Sequence, residues 1–73
     1  DAEEQAGFVL LSQQRHLTIQ GAEQEPIFIY DLLGRLVASS EAHHADPATF
    51  NLPHSGIFVI RVGESKPVKL FVQ

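Results

Sequence analysis

The sequence predicts an all-β domain, and three observations predict it. Apolar residues come in short runs of β-branched and aromatic type, such as Ile27–Tyr30 and Ile57–Ile60. Turn residues separate these runs at short intervals, the spacing a sandwich or barrel requires. Helix signals are nearly absent. The one stretch rich in helix formers, Asp1–Ala6, lacks an apolar face and reads as a solvated linker.

About seven strands follow that linker. The first is Phe8–Leu11, and Ser12, Gln13 and Gln14 make the turn after it. The second, Arg15–Gln20, points Leu17 and Ile19 inward and His16, Thr18 and Gln20 outward. After a connection from Gly21 to Pro26 comes Ile27–Tyr30, apolar on both faces and therefore central in its sheet. Leu36–Ser39 is the fourth strand. A looser stretch, Glu41–Pro47, leads to a short fifth around Thr49–Asn51. The sixth, Ile57–Val62, is apolar on both faces except at Arg61. In the seventh, Val68–Val72, the residues Val68, Leu70 and Val72 alternate with Lys69 and Phe71, so one face is buried and the other largely wet.

Two turns are specified by their chemistry. In Asp31-Leu32-Leu33-Gly34 the carboxylate accepts a backbone N–H two residues on, and Gly34 takes the left-handed conformation that closes a hairpin with a bulge. Between the sixth and seventh strands Gly63 supplies a positive φ, and Pro67 sits at a strand's first residue, where a missing N–H costs little. Pro53 and Gly56 bracket a further turn. The pairs Ile27–Tyr30 with Leu36–Ser39, and Ile57–Val62 with Val68–Val72, are thereby predicted to be hairpins.

Composition bounds what such a domain does. Seventy-three residues make one domain, taken here as residues 8–73 behind a linker over 1–7. A chain this short buries only about 60% of its unfolded surface. With no cysteine, neither disulfides nor thiolate zinc sites supplement the core. The longest apolar run is four residues, against the roughly 20 that span a bilayer. No basic segment precedes an apolar stretch, so no signal peptide is expected within these residues. Asp1 in place of Met leads to the expectation that the chain is cut from a longer polypeptide. A net charge of −4 disfavours nucleic acid, whose phosphates call for clustered Lys and Arg. The charge is uneven: residues 1–25 carry −4, whereas residues 57–73 carry +2. That asymmetry reads as ordinary solubility charge or as steering, not as a determinant of fold.

Three segments carry a family resemblance. Ile27-Phe28-Ile29-Tyr30-Asp31-Leu32-Leu33-Gly34-Arg35-Leu36-Val37 joins two apolar strands through a Tyr-Asp-x-x-Gly-Arg turn. Leu52-Pro53-His54-Ser55-Gly56-Ile57 opens a strand that ends at Gly63, and Lys66-Pro67-Val68-Lys69-Leu70-Phe71-Val72 closes the chain. Together, over residues 15–73, they resemble the C-terminal sorting domains of the bacterial type IX secretion system. There are departures: the Pro-Asn-Pro element that often opens those domains is replaced by Gly7-Phe8-Val9-Leu10, Phe58 stands for the commoner Tyr, and Gln73 for a frequent Lys.

The resemblance implies an immunoglobulin-like β-sandwich of seven strands at the end of a secreted cargo. It implies a sorting signal that directs the parent protein through the periplasm of a Gram-negative bacterium, across the outer membrane, to the cell surface. Its partners would be the outer-membrane translocon with its shuttle and a surface sortase-like peptidase. On this reading Tyr30, Asp31, Gly34, Arg35, Pro53 and Gly56 build the turns, and Arg61, Gly63, Lys66, Val68, Lys69, Leu70 and Val72 form the surface that the machinery reads. Open strand edges also permit a homodimer. Two other roles suit the same fold: an immunoglobulin- or fibronectin-like binding module, and a retained domain of a surface attachment complex.

Catalytic and metal chemistry finds little to work with. His43, His44 and Asp46, with His16 or His54, are the best candidate metal ligands, but neighbours on an extended chain point opposite ways. His54 and Ser55 are adjacent and lack a Gly-x-Ser-x-Gly elbow. Paired carboxylates occur only as Glu3-Glu4, and the five glycines are scattered at turns rather than gathered around a phosphate. No enzyme activity, metal or cofactor is expected. Tyr30 and Phe58 read as core aromatics more readily than as ligand-stacking ones, and Arg35 and Arg61 as either partner contacts or cations lying over apolar surface.

Overall fold

Alternating inward and outward side chains produce a computed structural model in which nearly every strand has one buried face; it describes residues 2–5, 8–22, 24–42 and 45–73. The strands are β1 (Ala2–Gln5), β2 (Phe8–Gln13), β3 (His16–Gln20), β4 (Ile27–Tyr30), β5 (Leu36–Ser40), β6 (Ala48–Asn51), β7 (Gly56–Val62) and β8 (Val68–Val72). They form two four-stranded antiparallel sheets, β1-β2-β3-β6 and β5-β4-β7-β8. The chain crosses between the sheets after β3, β5 and β6, so β2-β3-β6 faces β5-β4-β7-β8 in the strand order of an immunoglobulin-like sandwich.

The core lies between the sheets. Leu10, Leu17 and Ile19 meet Ile27, Ile29, Phe58, Ile60 and Val72, all fully buried. β4 is central in its sheet as expected, and β7, likewise apolar on both faces, lies beside it as the other central strand. The two predicted hairpins, β4–β5 and β7–β8, are present, the first with a register shift between Ile29 and Tyr30.

Three expectations are corrected. The stretch taken as a linker contains β1, whose residues Ala2 to Gln5 pair with Leu11 to Phe8. An edge strand is held by backbone hydrogen bonds, so a segment with no apolar face can still add to a sheet; Asp1, Ala6 and Gly7 lie outside the described residues. The turn after β2 is Gln14-Arg15, not Ser12–Gln14: Gln13 pairs with His16, and both intervening residues have positive φ, 49° and 66°. Two such residues make a type I′ connection, ordinarily signalled by Asn-Gly. Tyr30 is not core. It stands half-buried on the outer face of β4, beside the inward Ile29.

Candidate recognition surface

The β4–β5 turn is built around one carboxylate. Asp31 Oδ1 accepts from the Leu33 N–H at 2.9 Å and the Arg35 N–H at 3.0 Å, and Oδ2 accepts from Arg35 Nε at 2.8 Å. The Gly34 N–H donates to the Asp31 carbonyl at 3.0 Å, and Gly34 has a φ of +82°. Foremost the Arg35 backbone N–H, then its guanidinium and the Leu33 N–H, hold the Asp31 carboxyl below its ordinary range, against partial burial that works the other way. This locked turn thrusts Leu32 and Leu33 into solvent.

The β7–β8 turn is fixed from a different direction. The Gly63 N–H donates to the Pro26 carbonyl at 2.7 Å, the Ser65 N–H to the Val62 carbonyl at 2.9 Å, and Gly63 has a φ of +57°. A Cβ at Gly63 would overlap the Glu25 carboxylate, so the turn packs closely on the connection before β4.

Between these turns spreads the outer face of the β5-β4-β7-β8 sheet. Cross-strand register places Leu36, Tyr30, Val59 and Lys69 in one row, Ser39, Phe28 and Arg61 in a second, and Ile57 with Phe71 in a third. The Arg61 guanidinium sits 5.5 Å from the centre of the Phe28 ring, a cation–π contact that holds the charge over the face. The exposed large apolar residues among those described are Leu32, Leu33, Leu36, Ile57 and Phe71, between 41% and 77% exposed, and all belong to this sheet or its β4–β5 turn. The opposite sheet is different in kind. Its outer face carries Gln13, His16, Thr18, Gln20, Thr49 and Asn51 around the half-buried Val9 and Leu11.

Charge segregates with the same boundary. β4, β5, β7, β8 and their two turns hold Arg35, Arg61, Lys66 and Lys69 against Asp31 and Glu64, while the rest of the chain sets seven acids against Arg15. Arg35 is already paired with Asp31. Lys66 and Lys69 form no salt bridge among the described residues.

The structure divides the expected recognition residues. Arg61, Lys66 and Lys69 present their side chains, Gly63 shapes the turn, and Val68 is half-buried. Leu70 and Val72 are core residues, 4% and 0% exposed, and cannot be read as side chains from outside. The strand's strict alternation forces this: lysine and phenylalanine out means leucine and valine in. Ile57 and Phe71 were missed as contact residues, although the Lys69-x-Phe71 alternation signalled that Phe71 faces water. Pro53 is exposed, and Gly56 opens β7 with a φ of +138°.

The candidate chemical groups are scattered. His43 and His44 lie outside the described residues, and among the described ones no three potential metal ligands gather. Asp46 Oδ1 accepts from the Gly21 N–H at 2.9 Å, and His16 Nδ1 lies 2.8 Å from Asn51 Oδ1. His54 Nδ1 donates to the Ser55 backbone carbonyl at 2.8 Å and not to its hydroxyl, and its ring stacks on Phe58 at 5.1 Å.

No curated protein and no solved structure matches the chain. A family model described as a domain of unknown function, DUF6383, matches residues 1–72. That match overturns membership in the type IX sorting-domain family. The motifs behind the resemblance are those that close hairpins in any small sandwich: Asp31 and Gly34 satisfy one turn, Gly63 another. The chain belongs to the DUF6383 family.

Proposed function

We propose that this domain is a non-catalytic recognition module, gripped through its β7–β8 hairpin by the apparatus that delivers its parent polypeptide across the outer membrane to the cell surface. The observation that carries the reading is the concentration of exposed apolar side chains on one sheet and its turns, with cations that form no salt bridge among the described residues, ending at the edge strand β8. Contiguous apolar surface of this kind marks a protein-interaction site, and an edge strand offers unpaired backbone groups for strand addition. A signal read on a polypeptide that has already folded must be a rigid surface. The Asp31 and Gly63 turns supply that rigidity.

The test uses residues whose side chains the core does not need. A reporter fused ahead of the domain is expected at the surface of the source cells. Ile57→Glu together with Phe71→Glu should abolish that delivery, while circular dichroism and the melting temperature stay close to wild type. Undiminished delivery of the folded double variant would sink the proposal.

A further inference from the structure

We propose that β8 receives an acidic, extended segment of another protein, laid along its open edge with carboxylates toward Lys69 and the Arg61–Lys66 groove and an apolar side chain against Phe71. This rests on the β7–β8 hairpin being the recognition element, and it adds the chemistry of what is recognised.

The geometry sets the pattern. β8 pairs with β7 on one side, and among the described residues no strand pairs on the other. Outward residues on β8 are two apart, Lys69 then Phe71, with the exposed Pro67 preceding them. A strand added to this edge places its own outward side chains about 5 Å from each. Toward β7 the neighbours are already apolar: Val59 lies opposite Lys69, and Ile57 opposite Phe71. The strands of this sheet carry no carboxylate to complement Lys69, and the open side is where a partner would supply one.

Beyond Val68 the edge runs into a shallow groove of about 460 Å³, lined by Arg61, Gly63, Glu64, Ser65, Lys66 and Pro67. Its lining sets two cations, Arg61 and Lys66, against one acid, Glu64, and Arg61 is held in place by the Phe28 ring. A segment lying along β8 with an acid at Lys69 brings its next outward side chain, two residues away, to this groove. The complementary sequence is acid-x-acid-x-apolar, or its reverse for the opposite strand direction. Opposite charges directly across strands, and apolar groups against an aromatic, are both favourable pairs.

The same charges argue against a second copy as occupant. Another β8 brings Lys69 and no carboxylate on its strand, so edge-to-edge pairing would give Lys69 no acidic partner. Steering favours the acidic partner too, because the cations lie together on one side of an otherwise acidic chain.

Titrating the isotope-labelled chain with short capped peptides tests this by NMR. The probes are an extended threonine peptide carrying glutamate, glutamate and valine at alternate positions, its reversed sequence, and a version with lysine for both glutamates. One glutamate peptide is expected to shift amides of β8 and the β7–β8 turn. Its affinity should fall at least about tenfold on raising salt to molar levels, where the screening length drops to roughly 3 Å. Lys69→Glu, at an exposed position, should weaken that peptide about tenfold and improve the lysine peptide by a comparable factor. Equal binding of the lysine peptide to wild type, shifts confined to β1 or β6, or no shift at β8 would overturn the inference. The fused reporter separates the two claims. Delivery retained in Lys69→Glu but lost in the Ile57→Glu, Phe71→Glu variant removes the acidic partner and leaves the recognition module standing.

Discussion

Asp31 shows how one side chain can specify a turn. Its two oxygens accept three hydrogen bonds, two of them from backbone N–H groups that a short loop would otherwise leave to solvent. Because the folded pKa is depressed, the unfolded chain takes up a proton first as pH falls. The stabilisation is therefore complete above the unfolded value of about 3.9 and is lost as pH drops through the folded value. Urea midpoints at pH 7 and near pH 3 should fall more steeply for wild type than for Asp31→Asn; equal slopes would show that the carboxylate is not linked to folding. Glycines at the two turns answer to different constraints. At Gly34 a Cβ meets nothing within 4 Å, so Gly34→Ala is expected to cost only the left-handed penalty, about 1 kcal/mol. At Gly63 a Cβ would also strike the end of the Glu25 side chain, which must swing aside, and Gly63→Ala should cost somewhat more than Gly34→Ala, about 1–2 kcal/mol. The check is the order of melting temperatures, with Glu25→Ala recovering part of the Gly63→Ala loss.

At the scale of elements, the sheet's outer face explains why β4 and β7 are apolar on both sides. One side packs the core, and the other forms the exposed surface with Leu36 and Phe71. The β2–β3 hairpin poses the opposite question, since it adopts a type I′ geometry with Gln14 and Arg15, neither of them suited to positive φ. Its neighbours hold it there: the Arg15 N–H donates to the Gln73 carbonyl, and the Arg15 carbonyl accepts from the Leu52 N–H at 2.8 Å. Both bonds are made by backbone, so the side chains are dispensable. Gln14→Asn combined with Arg15→Gly should therefore raise stability by about 1 kcal/mol, which corresponds to some 4–8 °C in melting temperature for a domain of this size. An unchanged or lower melting temperature would mean that the turn residues contribute through their side chains.

The whole molecule is two-sided. One sheet turns polar side chains outward, and the other presents aromatic and aliphatic groups with Arg61 and Lys69 among them. That division joins residues far apart in sequence, Phe28 with Arg61 and Leu36 with Val59 and Lys69 through the register of β4 and β7. The recognition surface proposed for it would thus be built from strands whose apolar content also serves the core, on an outer face and an edge, in a domain with little interior to spare.

By itself the sequence determined the all-β class, the span of β8, the centrality of β4, and the Asp31 and Gly63 turns. These depend on local period, on β-branched runs and on side-chain-to-backbone chemistry within a few residues. Tertiary structure decided the rest. β1 forms because β2 offers an open edge, the Gln14-Arg15 turn persists because Gln73 and Leu52 bond to Arg15, and Tyr30 stands on the outer face because β4 lies between β5 and β7 with Ile29 turned to the core. The physical reason is common to all three. Long-range backbone pairing and sheet packing supply hydrogen-bond partners and burial that no local window of residues contains.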